Sequence, residues 1–308
     1  MKYLCLLFSL CILFLSVSGC TQKYDLNLNT DFPICDSLPD GNGQNCKVVI
    51  LLGQSNASGA SRTEYLQKNV TAEQYKRYCQ GYDNVLINYC VDDHSNTSAG
   101  SFTKVGLSCG CTDGFFGAEV GMAEKLSEAF ENETVFILKY SMSGYSLNHH
   151  WLRNGKRGDI YKACISFLNT YLSYLESKNY NVCVGAICWM QGEADCTEEK
   201  ANAYLENQRK LVSYLRTDLK AYQDPMGIYF IDAGISDSPN WAPEYPLINA
   251  AKEIFSKDSP LNRYFSTIDH GLTTLNEPFD EPDTAHYDSM SEIKLGHLFA
   301  EQIIKIYS

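Results

Sequence analysis

The feature that constrains this chain most is the apolar run at residues 48–52, which ends at Gly53 and leads into Gln54, Ser55 and Asn56. An unbroken apolar run that stops at a glycine is typical of a buried strand in a parallel sheet. Ligands of open α/β sheets bind just beyond the carboxyl ends of the strands, where Ser55 falls. Its hydroxyl is a candidate nucleophile if a base lies within reach. Alternatively, Ser55 and Asn56 only cap the next helix.

The remaining pattern predicts an α/β fold, because apolar runs alternate with segments of helical period. Alternating strands and helices form right-handed βαβ units, which give a parallel sheet with helices on both faces. No repeat or linker divides residues 47–308, so we expect one domain. The further predicted strands are 83–90, 134–140, 182–190, 226–233 and 264–268, and the predicted helices are 117–130, 159–180, 197–222, 247–255 and 289–306.

The amino terminus predicts export. Residues 1–20 have a basic start, an apolar stretch and a small-residue end, the layout of a secretory signal that is too short for a membrane span. The ending at residues 17–20 also fits a bacterial lipobox, in which Cys20 is lipidated; ordinary cleavage near Ser18 or Gly19 is the alternative. Residues 21–46 are a polar lead-in. We therefore expect a secreted or extracytoplasmic protein, with a lipid anchor at Cys20 left open.

Charge and cysteine content narrow the function further. The chain has 25 basic and 37 acidic residues and no Lys/Arg cluster, which argues against nucleic-acid binding.

Of its 13 cysteines, ten lie beyond Cys20. An even number in an exported chain favours disulfides, with connectivity undetermined. A zinc site is the competing interpretation, but Cys109 and Cys111 are too tightly spaced to support it.

The late segment around His286 supplies a candidate base. Asp283 precedes His286 by three residues, so one turn can bring the carboxylate to the imidazole. Such a carboxylate fixes the tautomer of the imidazole and stabilises the imidazolium that forms when it accepts a hydroxyl proton. The alternatives are an exposed loop or capping histidine and an ordinary turn aspartate.

Four motifs, taken together in their order, carry a resemblance. They are GQSN at 53–56, FGAE at 116–119, WMQGEAD at 189–195 and the segment 283–300, which begins DTAHYD. The chain resembles the GDSL-like (SGNH) esterase superfamily, within it the carbohydrate esterase branch of sialate O-acetylesterases and acetylxylan esterases. The resemblance implies a flavodoxin-like three-layer α/β/α fold and hydrolysis of acetyl esters on sugars, without a metal or organic cofactor.

The resemblance also implies roles for individual residues. Ser55 is the nucleophile, His286 the general base and Asp283 its orienting carboxylate. The oxyanion is met by the backbone N–H groups of Ser55 and Gly117 and by the side-chain amide of Gln191. Three further motif residues are predicted to support the site or contact substrate: Gln54, Asn56 and Glu193.

The predicted function is an exported serine esterase that deacetylates a glycan, of the acetylxylan or sialic acid type, through an acetyl-enzyme. A catalytically idle carbohydrate-binding descendant of the fold is one alternative. An O-acetyltransferase that uses the same triad is the other.

Overall fold

The computed structural model describes residues 25–308. The predicted signal and the lipobox cysteine lie outside the described residues. The described part of the lead-in, residues 25–44, contains no helix or strand and runs along the domain that follows. Its contacts include the Asp36 carboxylate, which accepts a hydrogen bond from the Tyr174 hydroxyl at 2.8 Å.

Six parallel strands form the centre of the sheet in the order β2-β3-β1-β4-β5-β6. Two-residue strands, Asn96–Thr97 and Thr103–Lys104, pair antiparallel with β2. The bounds are β1 Asn45–Gly53, β2 Val85–Val91, β3 Val135–Ser141, β4 Asn181–Met190, β5 Tyr229–Ala233 and β6 Asn262–Phe265.

The strand order corrects one detail of the predicted fold. A flavodoxin-like sheet has the order 2-1-3-4-5, whereas here β3 lies between β1 and β2. All seven residues of β3 are buried, which suits a strand with a neighbour on each side. Strand β2 has partly exposed residues, including Leu86 and Tyr89, and takes the place beyond β3.

Helices cover both faces of the sheet. Lys139 and Tyr140 are neighbours on β3 and point to opposite faces. Lys139 contacts Glu119 of α4, which packs on α8, whereas the Tyr140 ring lies 5.6 Å from that of Phe167 on α5. The helix bounds are α1 Ser55–Ser58, α2 Thr63–Asn69, α3 Ala72–Gln80, α4 Glu119–Ala129, α5 Asp159–Ser177, α6 Glu198–Asp218, α7 Tyr245–Ser256 and α8 Ser289–Tyr307.

The predicted strands and helices all form, with ends that shift by a few residues, and several further short elements were not predicted. Helices α2 and α3 were not predicted, because α2 buries only Leu66 and α3 only Tyr78. The other short elements are the strand pairs Ser61–Arg62 with Phe115–Phe116 and Leu152–Arg153 with Lys156–Arg157, the π-helix Leu147–Trp151, and the 3₁₀ turns Glu193–Asp195, Lys220–Tyr222 and Pro239–Trp241.

None of the predicted disulfides is present among the described residues. All ten cysteines within residues 25–308 are free thiols. Cys46, Cys90 and Cys188 lie on parallel strands and are buried, where a thiol packs as a small apolar group. Cys35 and Cys79 are exposed. Five of these ten cysteines are buried, and packing in the core accounts for those.

No helix within residues 25–308 has the length and apolar character needed to cross a bilayer.

Candidate active site

Ser55 stands at the carboxyl end of the central strand. Gly53 has a φ of +149°, and a Cβ there would lie 1.9 Å from the carbonyl oxygen of Met190 on β4. Only glycine fits this close approach. The chain turns at once into α1, whose first residue is Ser55. First-turn N–H groups have no acceptor within their own helix, so the Ser55 N–H is left to meet other groups. The Ser55 residue is partly exposed, as a nucleophile has to be.

Asp283 and His286 are in direct contact. The His286 Nδ1 lies 2.6 Å from a carboxylate oxygen of Asp283, and the other oxygen accepts the Ala285 N–H at 3.0 Å. Burial would raise the Asp283 pKa, but the His286 hydrogen bond and charge lower it below its ordinary value. Asp283 is thus held ionised, and Nε2 of His286 is the ring nitrogen left for the nucleophile.

The loop that carries His286 is hydrogen-bonded to the residue after Ser55. The Asn56 side chain accepts the Tyr287 N–H at 3.2 Å and donates to the Ala285 carbonyl at 3.4 Å. Ser55 and His286 therefore lie at the same edge of the sheet, although 231 residues separate Asn56 from Tyr287. Within residues 25–308 no direct hydrogen bond joins the Ser55 hydroxyl to His286; such bonds are often long before substrate binds.

Gln191, a predicted oxyanion donor, is fully buried after β4. Its Nε2 donates to Asp195 at 2.6 Å and to the Gln54 side-chain oxygen at 3.2 Å. The Tyr204 hydroxyl donates to the Gln191 side-chain oxygen at 3.0 Å, which fixes the orientation of the amide. Gln54 also accepts the Ala194 N–H at 3.1 Å, so it braces this turn.

Gly117, the other predicted donor, lies beside the nucleophile turn. A Cβ at Gly59, directly after α1, would lie 2.5 Å from the Gly117 nitrogen. The Gly117 N–H donates at 2.8 Å to Glu119, whose other oxygen accepts from Lys139 at 2.7 Å. The side chains of Glu119 and Lys139 are both fully buried. Gly117 and Gln191 are therefore at the site, but both donors already have acceptors, and their oxyanion role stays a prediction.

Two buried carboxyl groups flank Gln191. Burial raises the pKa of Asp195 to about 6, against the hydrogen bonds it accepts from Gln191 and from the Leu147 and Asn148 N–H groups. Burial also raises the pKa of Glu193. One Glu193 oxygen accepts from Asn56 at 2.7 Å, and the other has no hydrogen-bond partner within residues 25–308.

His286 and Asp283 also line a cavity. Arg62 is its one cationic group other than histidine, and Tyr65 gives it an aromatic wall. The complete lining is Ala60, Ser61, Arg62, Tyr65, Glu277, Pro278, Asp283, His286 and Tyr287.

Sequence reasoning named the triad candidates and the supporting residues Asn56 and Glu193, but it did not name Asp195, Arg62 or Tyr65. Asp195 lies inside the WMQGEAD motif, and its spacing of four from Gln191 was an available signal. Arg62 and Tyr65 carried no signal, because they belong to an unpredicted segment before and within α2. Among the described residues, no three His, Cys, Asp or Glu side chains are grouped to hold a metal ion.

A comparison with protein families identifies the family of this chain. The family described as "Carbohydrate esterase, sialic acid-specific acetylesterase" matches residues 45–305, which is most of the chain and includes every residue of the site. The chain belongs to this family. It is accordingly a carbohydrate O-acetylesterase, as the motifs predicted. A comparison with curated protein sequences gave no match.

Solved structures of low identity share the fold of this acetylesterase. A protein from Arabidopsis thaliana is 15% identical, with a TM-score of 0.61 over 84% of this chain and 98% of its own. NanS is 16% identical, with a TM-score of 0.60 over 87% and 98%. A carbohydrate acetylesterase from Xanthomonas citri is 12% identical, with a TM-score of 0.52 over 83% and 55%. Identity this low shows a common fold only.

Proposed function

We propose that this acetylesterase removes O-acetyl groups from a glycan through Ser55, His286 and Asp283. The observation that carries the proposal is the contact between Asp283 and Nδ1 of His286, on a loop hydrogen-bonded to the residue that follows Ser55. A hydroxyl, an imidazole and an oriented carboxylate at one edge of a sheet are the groups that acyl transfer requires.

The reaction proceeds in two steps. The Ser55 oxygen attacks the acetyl carbonyl carbon while Nε2 of His286 takes the hydroxyl proton, and the imidazolium is stabilised by Asp283. The ester bond to the sugar then breaks, and His286 passes its proton to the sugar oxygen. In the second step water attacks the acetyl-enzyme with His286 again as base. Acetate leaves, and the serine oxygen regains a proton from His286.

The Ser55 N–H at the start of α1 is the first candidate donor to the oxyanion. Gly117 and Gln191 are the second and third, because both belong to turns around the nucleophile. For Gly117 to serve, the Glu119 carboxylate that now accepts its hydrogen bond has to give way to the oxyanion. Gln191 can keep one N–H on Asp195 and turn the other from the Gln54 oxygen to the oxyanion. Removing one oxyanion donor typically costs about 100- to 1,000-fold in kcat.

The substrate proposal is an acetylated glycan of the sialic acid or acetylxylan type. The family match supports the sialic acid type, and Arg62 beside His286 offers a cation to an acidic sugar. The net negative charge of the chain favours a neutral sugar instead.

We also propose that residues 1–20 direct export and that Cys20 is a candidate lipid anchor. The mass and first residue of the mature protein, compared with those of Cys20→Ser, test that placement.

Ser55→Ala tests the function. We expect hydrolysis of p-nitrophenyl acetate and release of acetate from O-acetylated sialic acid to fall by about 1,000-fold or more, because the nucleophile is lost. The melting temperature should stay near that of the wild type. Ser213→Ala, on the exposed face of α6, is the matched control and should keep full activity. Activity of Ser55→Ala equal to that of the control would reject the proposal.

A further inference from the structure

The side chain of Asn56 makes three hydrogen bonds to groups that are distant from it in sequence. Its oxygen accepts the Tyr287 N–H at 3.2 Å, and its Nδ2 donates to Glu193 at 2.7 Å and to the Ala285 carbonyl at 3.4 Å. Ala285 and Tyr287 are the residues on either side of His286. Asn56 therefore holds both ends of the short stretch that carries the base.

Glu193 completes this arrangement from the opposite side. Its side chain is buried in the turn after β4, and its only hydrogen bond to another side chain among the described residues is the one to Asn56. The Glu193 oxygen accepts one N–H of the Asn56 amide. The second N–H is then left for the Ala285 carbonyl, and the side-chain oxygen for the Tyr287 N–H. The Asn56 amide is thereby oriented with its oxygen toward the Tyr287 N–H and its nitrogen toward Glu193.

We propose that Asn56 and Glu193 are a pair of positioning residues that fix His286 relative to Ser55. Neither touches the reacting atoms: Asn56 holds the base loop, and Glu193 holds Asn56. The inference rests on the proposed function, since it assigns the pair to the same Ser55 and His286 site. Both N–H groups and the oxygen of the Asn56 side chain are used in this buried network, which fixes the position of that side chain.

Truncation of Asn56 gives the first measurement. Asn56→Ala removes both hydrogen bonds from residue 56 to the loop, and we expect kcat for p-nitrophenyl acetate to fall about 10- to 100-fold with KM changed by less than about threefold, because misplacement of a base slows the chemical step. Labelling of Ser55 by a fluorophosphonate should slow by the same factor. The matched control is Asn240→Ala, which removes the 2.7 Å hydrogen bond of an exposed asparagine to Thr284 on the same loop. It should keep kcat within about twofold.

Exchange of donor and acceptor gives the second measurement. Glu193→Gln keeps an acceptor oxygen and should stay within about threefold of wild-type kcat, whereas Glu193→Leu should lose about as much as Asn56→Ala. Asn56→Asp places two carboxyl groups against each other and should also be impaired. Combining it with Glu193→Gln reverses the direction of the hydrogen bond between residues 56 and 193 and keeps the Tyr287 contact, but the donation to the Ala285 carbonyl stays lost, so part of the lost kcat should return.

The outcomes separate this inference from the function on which it rests. An inactive Ser55→Ala together with fully active, folded Asn56→Ala and Glu193→Leu would overturn the positioning role alone. An active Ser55→Ala would overturn the proposed function. If the truncations do not fold, the exchange decides: failure of Glu193→Gln to rescue Asn56→Asp contradicts the inference, and rescue of kcat without a change in melting temperature supports it.

Discussion

At the scale of single residues, the pKa values of two carboxyl groups at the site of this acetylesterase shift in opposite directions. Asp283 is partly exposed and held ionised by its contact with His286. Asp195 is fully buried, and the loss of solvent raises its pKa to about 6. A carboxylate that supports a base has to be charged, whereas one that only orders a turn can tolerate protonation.

The raised pKa of Asp195 predicts a pH dependence of stability. The native state holds a proton on this group up to about pH 6, and the unfolded state releases it near 3.8. The contribution of Asp195 to the free energy of unfolding is therefore fully present below pH 3.8 and is lost as pH rises through 6, by up to about 3 kcal/mol. Asn at this position lacks that titration.

Urea unfolding of the wild type and Asp195→Asn between pH 4 and pH 7 measures the effect. The wild-type free energy of unfolding minus that of Asp195→Asn should fall as pH rises through this window. Asp280→Asn, at an exposed carboxyl, controls for the change of charge. A difference that is flat with pH would show that burial does not raise the pKa of Asp195.

At the scale of elements, the crossing of α4 and α8 sets the position of the Gly117 turn. A Cβ at Gly296 on α8 would lie 2.1 Å from the Ala118 carbonyl oxygen, and one at Gly121 on α4 would lie 2.1 Å from that of Ile293. The two helices touch through glycines, and α4 begins directly after the turn that holds Gly117.

Gly296→Ala should separate these helices. We expect it to lower the free energy of unfolding by about 1–3 kcal/mol, because the new methyl group clashes with backbone that cannot move freely. Esterase activity should also fall, since the Gly117 turn moves with α4. Gly106→Ala is the matched control, because a Cβ there makes only an ordinary contact at 3.6 Å. Unfolding curves that coincide for Gly296→Ala and Gly106→Ala would contradict this view.

How much of these elements could be predicted depends on how they are buried. Strand β1 and its turn at Gly53 were evident, because an unbroken apolar run has one simple interpretation. The acceptors of Gly117 and Gln191 could not be predicted, because they depend on side-chain partners such as Lys139 and Gln54 that only the fold brings near. The place of β3 between β1 and β2 also follows from tertiary pairing, which the local pattern does not contain.

At the scale of the whole molecule, the protein is held together by its core and not by cross-links. Ten free thiols within residues 25–308 are distributed over strands, helices and loops. The sheet carries helices on both faces, and its central strands are almost wholly buried. A core of this size can stabilise a domain of about 260 residues without disulfides.

Reduction should consequently leave the protein unchanged. We expect equal melting temperatures, within about 1 °C, with and without dithiothreitol. Alkylation with iodoacetamide after denaturation without reductant should modify the peptides of all ten cysteines, with a reduced sample as the control. A melting temperature that falls on reduction, or any pair of cysteines protected from alkylation, would show that the chain does form disulfides.

The central claim is that His286, oriented by Asp283, activates Ser55. Its most direct measurement is the rate at which a fluorophosphonate labels the folded protein, with the modified residue identified by peptide mass spectrometry. The wild type should be labelled at Ser55 alone. His286→Ala and Asp283→Ala should be labelled at least about 100-fold more slowly, and Asp280→Ala at the wild-type rate. Labelling at another residue, or equal rates in the wild type and His286→Ala, would contradict the account.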